Sequence, residues 1–442
     1  MGKAACSYER AKRYRVPGRR QIRVFCLLFW LAYAGYSDAE IRCELSSATV
    51  PIGKQQDVVV CGDQFKAVSA LTVQLGEKAT LHYQQALKRC DVGDKRAGYH
   101  LVLEAVGKPR AEILRLTDTA SGEVLCTAAV NIVNSVEKPT YRWQQLLTAE
   151  HSRTIKINGI NTRYFDVGKV RPVVLVHGGN AGGTNNNAFK WEQNIEGLSQ
   201  HYRVIVLDRL GQGQTANFNS PEDYADYFKK DAEHLRDFVV ALDLQDAILI
   251  GHSQGGWPVT RTALDIPDRV SCLVNVDTLM VPDEPKLMRE ALQFIIYVSS
   301  NLHPPSGPSF YSARRGMSLR YPSGNGITDE KAQRVVDQFN DPKAKQAKQY
   351  MRQYKVSPMS PQFKQQKAVA YDAIASGGLT MKNLVIWGEK DPQVPLGLGE
   401  LFQQMLEDNQ VESSLVVIEG AGHAPFVEFP QAFNQRIVDG CQ

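Results

Sequence analysis

The chain has 442 residues, of which 43% are hydrophobic and 22% charged. That balance excludes a disordered chain, a collagen and a coiled coil, and a mean hydropathy of −0.30 excludes a polytopic membrane protein. The formal charge of +4 belongs to the start: residues 1–39 hold eight Lys/Arg against Glu9 and Asp38, leaving 43 basic and 45 acidic side chains beyond them. No clustered basic face remains for nucleic acid.

Val24 to Gly35 (VFCLLFWLAYAG) is about a dozen residues long and follows a basic segment. A membrane span needs about 20 apolar residues. A basic stretch, a short apolar stretch and then small residues is the layout of a secretory signal. Ser37-Asp38-Ala39 supplies the small residues, so residues 1–39 read as a signal peptide cleaved before Glu40. The mature chain is then periplasmic or secreted, with an uncleaved anchor as the other reading. Cys43, Cys61, Cys90 and Cys126 cluster without metal-ligand spacing and read as two disulfides of an oxidising compartment. Three pairings are open; Cys43–Cys61 with Cys90–Cys126 nests most simply. Cys272 and Cys441 lie far downstream.

Residues 40–140 carry short β-type runs, among them Asp57–Val60, Ala70–Leu75, His100–Val106 and Glu123–Val133, separated by Gly and polar turns. This spacing predicts a small β-sandwich. Nothing in it looks catalytic; contact with a surface or polymer is its expected role. Residues 141–152, just after Lys138-Pro139, read as a linker.

From Arg153 the pattern changes. Two strands flank Asn158-Gly159, a strong hairpin signal. Buried-strand runs then alternate with helix-length segments: Arg171–His177, Arg203–Asp208, Ala247–Gly251, Cys272–Asp277, Leu384–Gly388 and Ser414–Glu419. Strands apolar on both faces mean a parallel sheet covered by helices, an α/β fold. Asp223–Leu242 reads as an amphipathic helix starting near Ser220-Pro221. About a hundred residues between the runs ending at 277 and starting at 384 lack strand rhythm and include a helical segment, Asp329–Tyr354. They read as a cap, at about 279–380, over the carboxyl edge of the sheet, where ligands of open α/β sheets bind.

The chemistry concentrates in three loops. Gly251-His252-Ser253-Gln254-Gly255 follows a strand and opens a helix, the setting of a nucleophile elbow. The turn is so tight that side chains at Gly251 and Gly255 would clash. A Ser hydroxyl needs a base. His423, in the Gly-rich loop GAGHAP after the last strand, is placed to supply it. Asp391, in WGEKD after the preceding strand, is placed to orient His423, with Asp277 at the end of the strand before it as the rival acid. The backbone N–H groups of Gly179 (in HGGN) and Gln254 are the expected oxyanion donors. Asn185–Asn187 are candidate substrate contacts. His252 reads as structural, its side chain turned away from the site, and Trp257 as core packing. Asp208–Gly213 (DRLGQG) with Ala216 mimics a dinucleotide fingerprint, but Asn217, Asn219 and Pro221 deny it the helix that a pyrophosphate requires.

Taken in order, HGGN, DRLGQGQT, GHSQGG, WGEKD and GAGHAPF resemble the α/β-hydrolase superfamily over about residues 153–440. The resemblance implies an eight-stranded, mostly parallel sheet with a cap after the sixth strand. The HGG loop followed by several Asn looks like the carbon–carbon bond hydrolases of meta-cleavage pathways. Those usually carry Asn before the nucleophile and Trp shortly after the His, where this chain has His252 and Ala424-Pro425. The expectation is an exported serine hydrolase of a small carboxylic ester or lactone, needing no cofactor or metal. Phe294, Tyr297, Phe310, Tyr311 and Tyr321 are the candidate pocket aromatics. Acyl transfer, amide hydrolysis and carbon–carbon cleavage with the same triad stay open.

Overall fold

The structure, a computed structural model, describes residues 146–183, 186–302 and 308–442, with strand segments and turns between 44 and 133. The apolar run and cleavage site of the leader, Cys6, Cys26, Cys43, Cys90, Asn185 and the first part of the expected linker lie outside the described residues. No helix among the described residues is long and apolar enough to cross a membrane.

The N-terminal region forms two four-stranded sheets. One contains Gln55–Cys61, Gly98–Ala105 and Ala79–Leu87; the other contains Val124–Val133, Arg110–Asp118 and Leu71–Leu75. Val58, Val60, Leu101 and Leu103 from the first meet Leu71, Leu114, Leu116 and Val130 from the second in one core, so the pair is the expected sandwich. Two strands escaped the sequence pattern. Ala79–Leu87 (ATLHYQQAL) and Arg110–Asp118 (RAEILRLTD) intersperse polar residues among the apolar ones, and their pairing comes from the neighbouring strands. Cys126, buried in this core, is disulfide-bonded.

The second region opens on a hairpin, β1 (Ser152–Ile157) and β2 (Ile160–Val167). Asn158 and Gly159 both take positive φ, 47° and 84°, a turn conformation that an Asn-Gly pair adopts with little strain. The linker expected at 141–152 is shorter than that, because Leu147 is already buried in a core of this region. Next come β3 (Pro172–Val176), β4 (Arg203–Leu207), β5 (Ala247–His252), β6 (Val270–Val276), β7 (Lys382–Gly388) and β8 (Ser413–Ile418). They complete one sheet in the order β8-β7-β6-β5-β3-β4-β2-β1. Strands β3 to β8 are parallel, and β2 is antiparallel to both its neighbours.

The period-2 alternation of side chains explains why these strands read as unbroken apolar runs. Val174, Val176, Leu249, Leu273 and Val385 enter one core; Val173, Leu175, Ile248, Ile250, Val274 and Ile386 enter the other. The helices between strands are α1 (Ile195–Ser199), α2 (Tyr227–Ala241) and α3 (Gly256–Asp265). The first core is covered by α2 and α3, through Phe228, Leu235, Trp257 and Val259, and α1 adds Ile195 and Leu198 to the second.

The described residues between β6 and β7 form five helices: α4 (Pro285–Leu302), α5 (Phe310–Arg320), α6 (Asp329–Asn340), α7 (Pro342–Gln353) and α8 (Pro361–Ala375). The helix expected at 329–354 is therefore two. Asp341 precedes Pro342, whose ring excludes the α conformation from it (φ −61°, ψ 127°), and its carboxylate caps the next helix at Ala344 N–H. The chain ends with α9 (Leu396–Asp408), α10 (Pro425–Glu428) and α11 (Pro430–Gly440).

Opposite ends of the sheet are fastened differently. At the amino ends of the strands, Arg171 donates to Asp246 O (3.0 Å), Cys441 O (2.6 Å) and Ser271 Oγ, while a disulfide joins Cys272 of β6 to Cys441 after α11. The sequence offered no reason to pair these cysteines, which lie 169 residues apart. At the carboxyl ends, cap helices grip the loops. Arg334 and Lys331 of α6 reach the buried Glu192 at 2.7 and 3.4 Å, and Gln338 donates to Asn186 O. Lys343 of α7 donates to Thr215 O.

Candidate active site

Ser253 sits at φ 54°, between the end of β5 and the first turn of α3. That left-handed backbone is strained for a residue with a side chain, and strain of this kind clusters at functional positions. A Cβ on Gly251 would lie 2.4 Å from Gly255 O, and one on Gly255 would lie 2.5 Å from Val176 O. Both glycines are therefore required by the closeness of the backbone, as the motif implied.

Three loops bring the sequence-singled residues together. His423 Nε2 lies 3.2 Å from Ser253 Oγ, and His423 Nδ1 lies 2.7 Å from Asp391 Oδ2. Ser253, His423 and Asp391 are all buried. Asp391 is itself held: its Oδ1 accepts Gln393 N–H (2.7 Å) and Val394 N–H (3.0 Å). The His423 loop is clamped from three sides. His423 N–H donates to Arg320 O at the end of α5, Gly422 N–H donates to Glu428 Oε1, and His252 Nε2 binds His423 O at 2.7 Å.

This last contact corrects the reading of His252. The side chain does not turn away: its ring lies 4.9 Å from the His423 ring, and as donor to a carbonyl its Nε2 must carry the proton. Burial, with the charge of His423 beside it, holds His252 well below the usual histidine range, so it is neutral. Trp257 is core, as expected, with Nε1 donating to Phe228 O.

The HGG loop crosses directly over the nucleophile, so closely that a Cβ on Gly178 would lie 2.8 Å from Ser253 Cβ. Gly179 and Gln254 thus flank Ser253 on two sides. The loop's shape depends on a residue that the sequence reading passed over. Arg209, from the dinucleotide look-alike, donates to His177 O (3.1 Å) and Gly179 O (2.7 Å), and pairs with the buried Asp231. Its backbone N–H donates to His177 Nε2 at 3.1 Å. His177 is pushed down to about 3 by burial and by Arg209, which keeps its Nε2 an acceptor. In the same motif Asp208 accepts from Ala188 N–H, Gln214 N–H and Arg163. The glycine-rich stretch therefore folds around a carboxylate of its own rather than around a phosphate.

Asn186 and Asn187 meet the cap: Asn186 O accepts from Gln338, and Asn187 caps the turn that starts at Ala188. A polar cavity beside the His423 loop is lined by Asn187, Lys190, Tyr321, Lys331, Arg334 and Val427 among others. Lys190 donates to the Tyr321 hydroxyl at 2.7 Å and is pushed down to about 7 by burial, then by the charge of Arg320. A second cavity, of about 210 Å³, is mostly apolar, with Leu279, Met288, Met359 and Phe363 in its wall. Leu279 N–H donates to Ser253 O at 3.1 Å, so this wall begins beside the nucleophile's backbone. Of the candidate pocket aromatics, Tyr321 lines the polar cavity, while Phe294 and Tyr297 pack with Val298 in a small core of their own. Phe310 and Tyr311 stack edge to face. No group of His, Cys, Asp or Glu among the described residues is arranged to hold a metal ion.

A buried Ser–His–Asp chain at the carboxyl edge of a doubly covered parallel sheet, beneath a helical insertion, is the architecture of a hydrolase. Residues 171–430 match the family profile described as the alpha/beta hydrolase fold. The chain belongs to that family. Among curated relatives, 2-hydroxy-6-oxo-6-(2'-aminophenyl)hexa-2,4-dienoic acid hydrolase of Metapseudomonas resinovorans is 27% identical over 64% of this chain and 87% of its own length. The human 1-acylglycerol-3-phosphate O-acyltransferase ABHD5 is 23% identical over 61% of this chain and 77% of its own length. Among solved structures, the meta-cleavage product hydrolase CumD of Pseudomonas fluorescens IP01 superposes with a TM-score of 0.51 at 24% identity, over 66% of this chain and 98% of that one. Residues 1–170, which include the sandwich, lie outside the family match.

Proposed function

We propose that the chain is an exported serine hydrolase that cleaves a carboxylic ester or lactone through an acyl-enzyme. The observation that carries the reading is the continuous hydrogen-bonded run from Ser253 through His423 to Asp391. In this reading His423 Nε2 takes the Ser253 proton as Oγ attacks the substrate carbonyl. The His423 Nδ1–H bond to Asp391 fixes the tautomer and stabilises the imidazolium that forms. The N–H groups of Gly179 and Gln254 receive the oxyanion, His423 protonates the leaving alcohol, and water releases the acyl group by the reverse roles.

The apolar wall from Leu279 to Phe363 favours an apolar or aromatic group on the substrate. Carbon–carbon cleavage and acyl transfer are the second reading, favoured by the names of the relatives; His252 in place of the Asn usual before the meta-cleavage nucleophile weighs toward the ester. Export is supported by the basic-then-apolar start and by the disulfides at Cys126 and at Cys272–Cys441. The sandwich is proposed to contact a surface or polymer. Deleting residues 40–140 should then spare small esters and lose insoluble ones.

The test is p-nitrophenyl ester hydrolysis by residues 40–442, with fluorophosphonate labelling alongside. Turnover and label should both vanish in Ser253→Ala, turnover by about 10⁶-fold. Near-wild-type turnover in that variant would end the proposal. Labelling without ester turnover would move the assignment to the second reading.

A further inference from the structure

Strand β6, the neighbour of the acid-bearing β7, ends in a second carboxyl. We infer that Asp277 acts as a protonated carboxylic acid that donates a hydrogen bond to Asp391, making it a positioning residue for the triad; the inference rests on the triad reading above.

Asp277 is fully buried and sits at φ 41°, a left-handed conformation that tilts its side chain off the end of the strand. Its N–H is bound to Ile386 O (3.0 Å) and its Oδ1 accepts Gly388 N–H (2.9 Å). Gly388 O in turn accepts Asp391 N–H (3.2 Å), so both acids hang from the same residue of β7. Asp277 Oδ2 is buried and meets no donor, and the carboxyl brought beside it through the shared Gly388 is that of Asp391, whose charge acts on it.

Two carboxylates in contact inside a protein do not both stay ionised; a single proton joins them. The donor count decides which oxygen carries it. Asp391 already accepts from Gln393, Val394 and His423, whereas Asp277 accepts only from Gly388. Asp391 is therefore the acceptor, and Asp277 keeps the proton. The charged and titratable groups around Asp277 are Asp391, Glu428 of α10 and, beyond Asp391, His423; the two acids both favour the neutral form. Burial first, then the charge of Asp391, pushes the Asp277 carboxyl well above the usual range. The proton shared in this way stops the Asp391 carboxyl from turning about its own side-chain bond. It holds Oδ2 on His423 in the ground state and when His423 becomes an imidazolium.

The experiment compares Asp277→Asn with Asp277→Ala in the full mature chain. Asn keeps an acceptor for Gly388 and an N–H donor for Asp391 without ionising, so kcat and its pH profile should stay within about threefold of wild type. Ala removes the donor and should lower kcat about 10- to 100-fold with KM unchanged, in line with other supporting groups one shell out. Infrared difference spectra at pH 7 give a readout independent of turnover. The carbonyl stretch of an un-ionised carboxylic acid should be present in wild type and in Ser253→Ala, and should be lost in Asp277→Asn. An Asn variant as damaged as Ala, or no neutral-acid band lost with Asp277, would overturn the inference. If Ala fails to fold, Asn and the infrared band decide alone. Because the band needs no turnover, failure of the triad reading would show separately, as activity that survives Ser253→Ala.

Discussion

The two ends of the central strands are built to opposite rules. At their amino ends, polar groups tie neighbouring strands together: Ser271 bridges to Asp246 O, Arg171 donates to three partners, and a disulfide joins Cys441 to β6. At their carboxyl ends, Ser253 and Asp277 hold positive φ, His252 Nδ1 is buried without a partner, and two acids stand far from their ordinary protonation range. Positive φ occurs at both ends, at Val170 and Asp246 as well as at Ser253 and Asp277, but the shifted acids Asp277 and Glu428 lie where chemistry is proposed, and the covalent and ionic fastening lies a strand's length away. The lesson is that stability and activity should be separable by position along a strand, rather than by strand.

Three variants sharpen or break that contrast. Asp391→Asn, at the carboxyl edge, should lower kcat about 10⁴-fold, because the amide stabilises the wrong His423 tautomer and cannot balance its charge. The urea midpoint should barely move; a large loss of stability would break the contrast. At the amino edge, Cys272→Ala with Cys441→Ala should cost about 3–5 kcal/mol in urea unfolding, since the cross-link spans 169 residues of the unfolded chain. Ester turnover by the folded fraction should be unchanged.

The smallest effect concerns Glu428. Its carboxyl accepts from Gly422 N–H and from Ser323 N–H and Oγ, yet burial pushes it up to about 7 from an ordinary 4.5. Below about pH 4.5 the folded and unfolded chains both hold this proton. Between about pH 4.5 and 7 only the folded chain does, so the contribution of Glu428 to stability falls as pH rises through that window, by about 1 kcal/mol per pH unit. Glu428→Gln should flatten this slope in melts from pH 4.5 to 7. An unchanged slope would mean that the edge is less strained than its burial implies.

What the sequence disclosed follows from how local each signal was. The buried strands β3 to β7 show as apolar runs because both faces are covered, β8 is an apolar run at the sheet edge with Val417 exposed, and Ser253, Asp391 and His423 each sit in a loop directly after one of these strands. Asp341-Pro342 carried a local signal for the break between α6 and α7 that the helical periodicity of the surrounding residues outweighed. The sandwich strands Ala79–Leu87 and Arg110–Asp118 hid because polar residues interrupt their alternation. The other misses are contacts that exist only after folding. Arg209 supports a loop thirty positions away, His252 reaches a carbonyl on another strand's loop, and Cys272 meets Cys441 across the whole cap. No window of sequence contains both partners of any of these.

The Cys272–Cys441 bridge has a further consequence. It closes a covalent ring that includes the entire cap, Asp391 and His423, but leaves Ser253 outside. A protease that cuts once within the cap would divide the triad between two polypeptides, with the nucleophile on one and its acid and base on the other. Under oxidising conditions the pieces would remain a single molecule, with the sheet still in register, and would part only when a reductant and a denaturant act together. The protein would then survive nicking of its cap as a two-chain form.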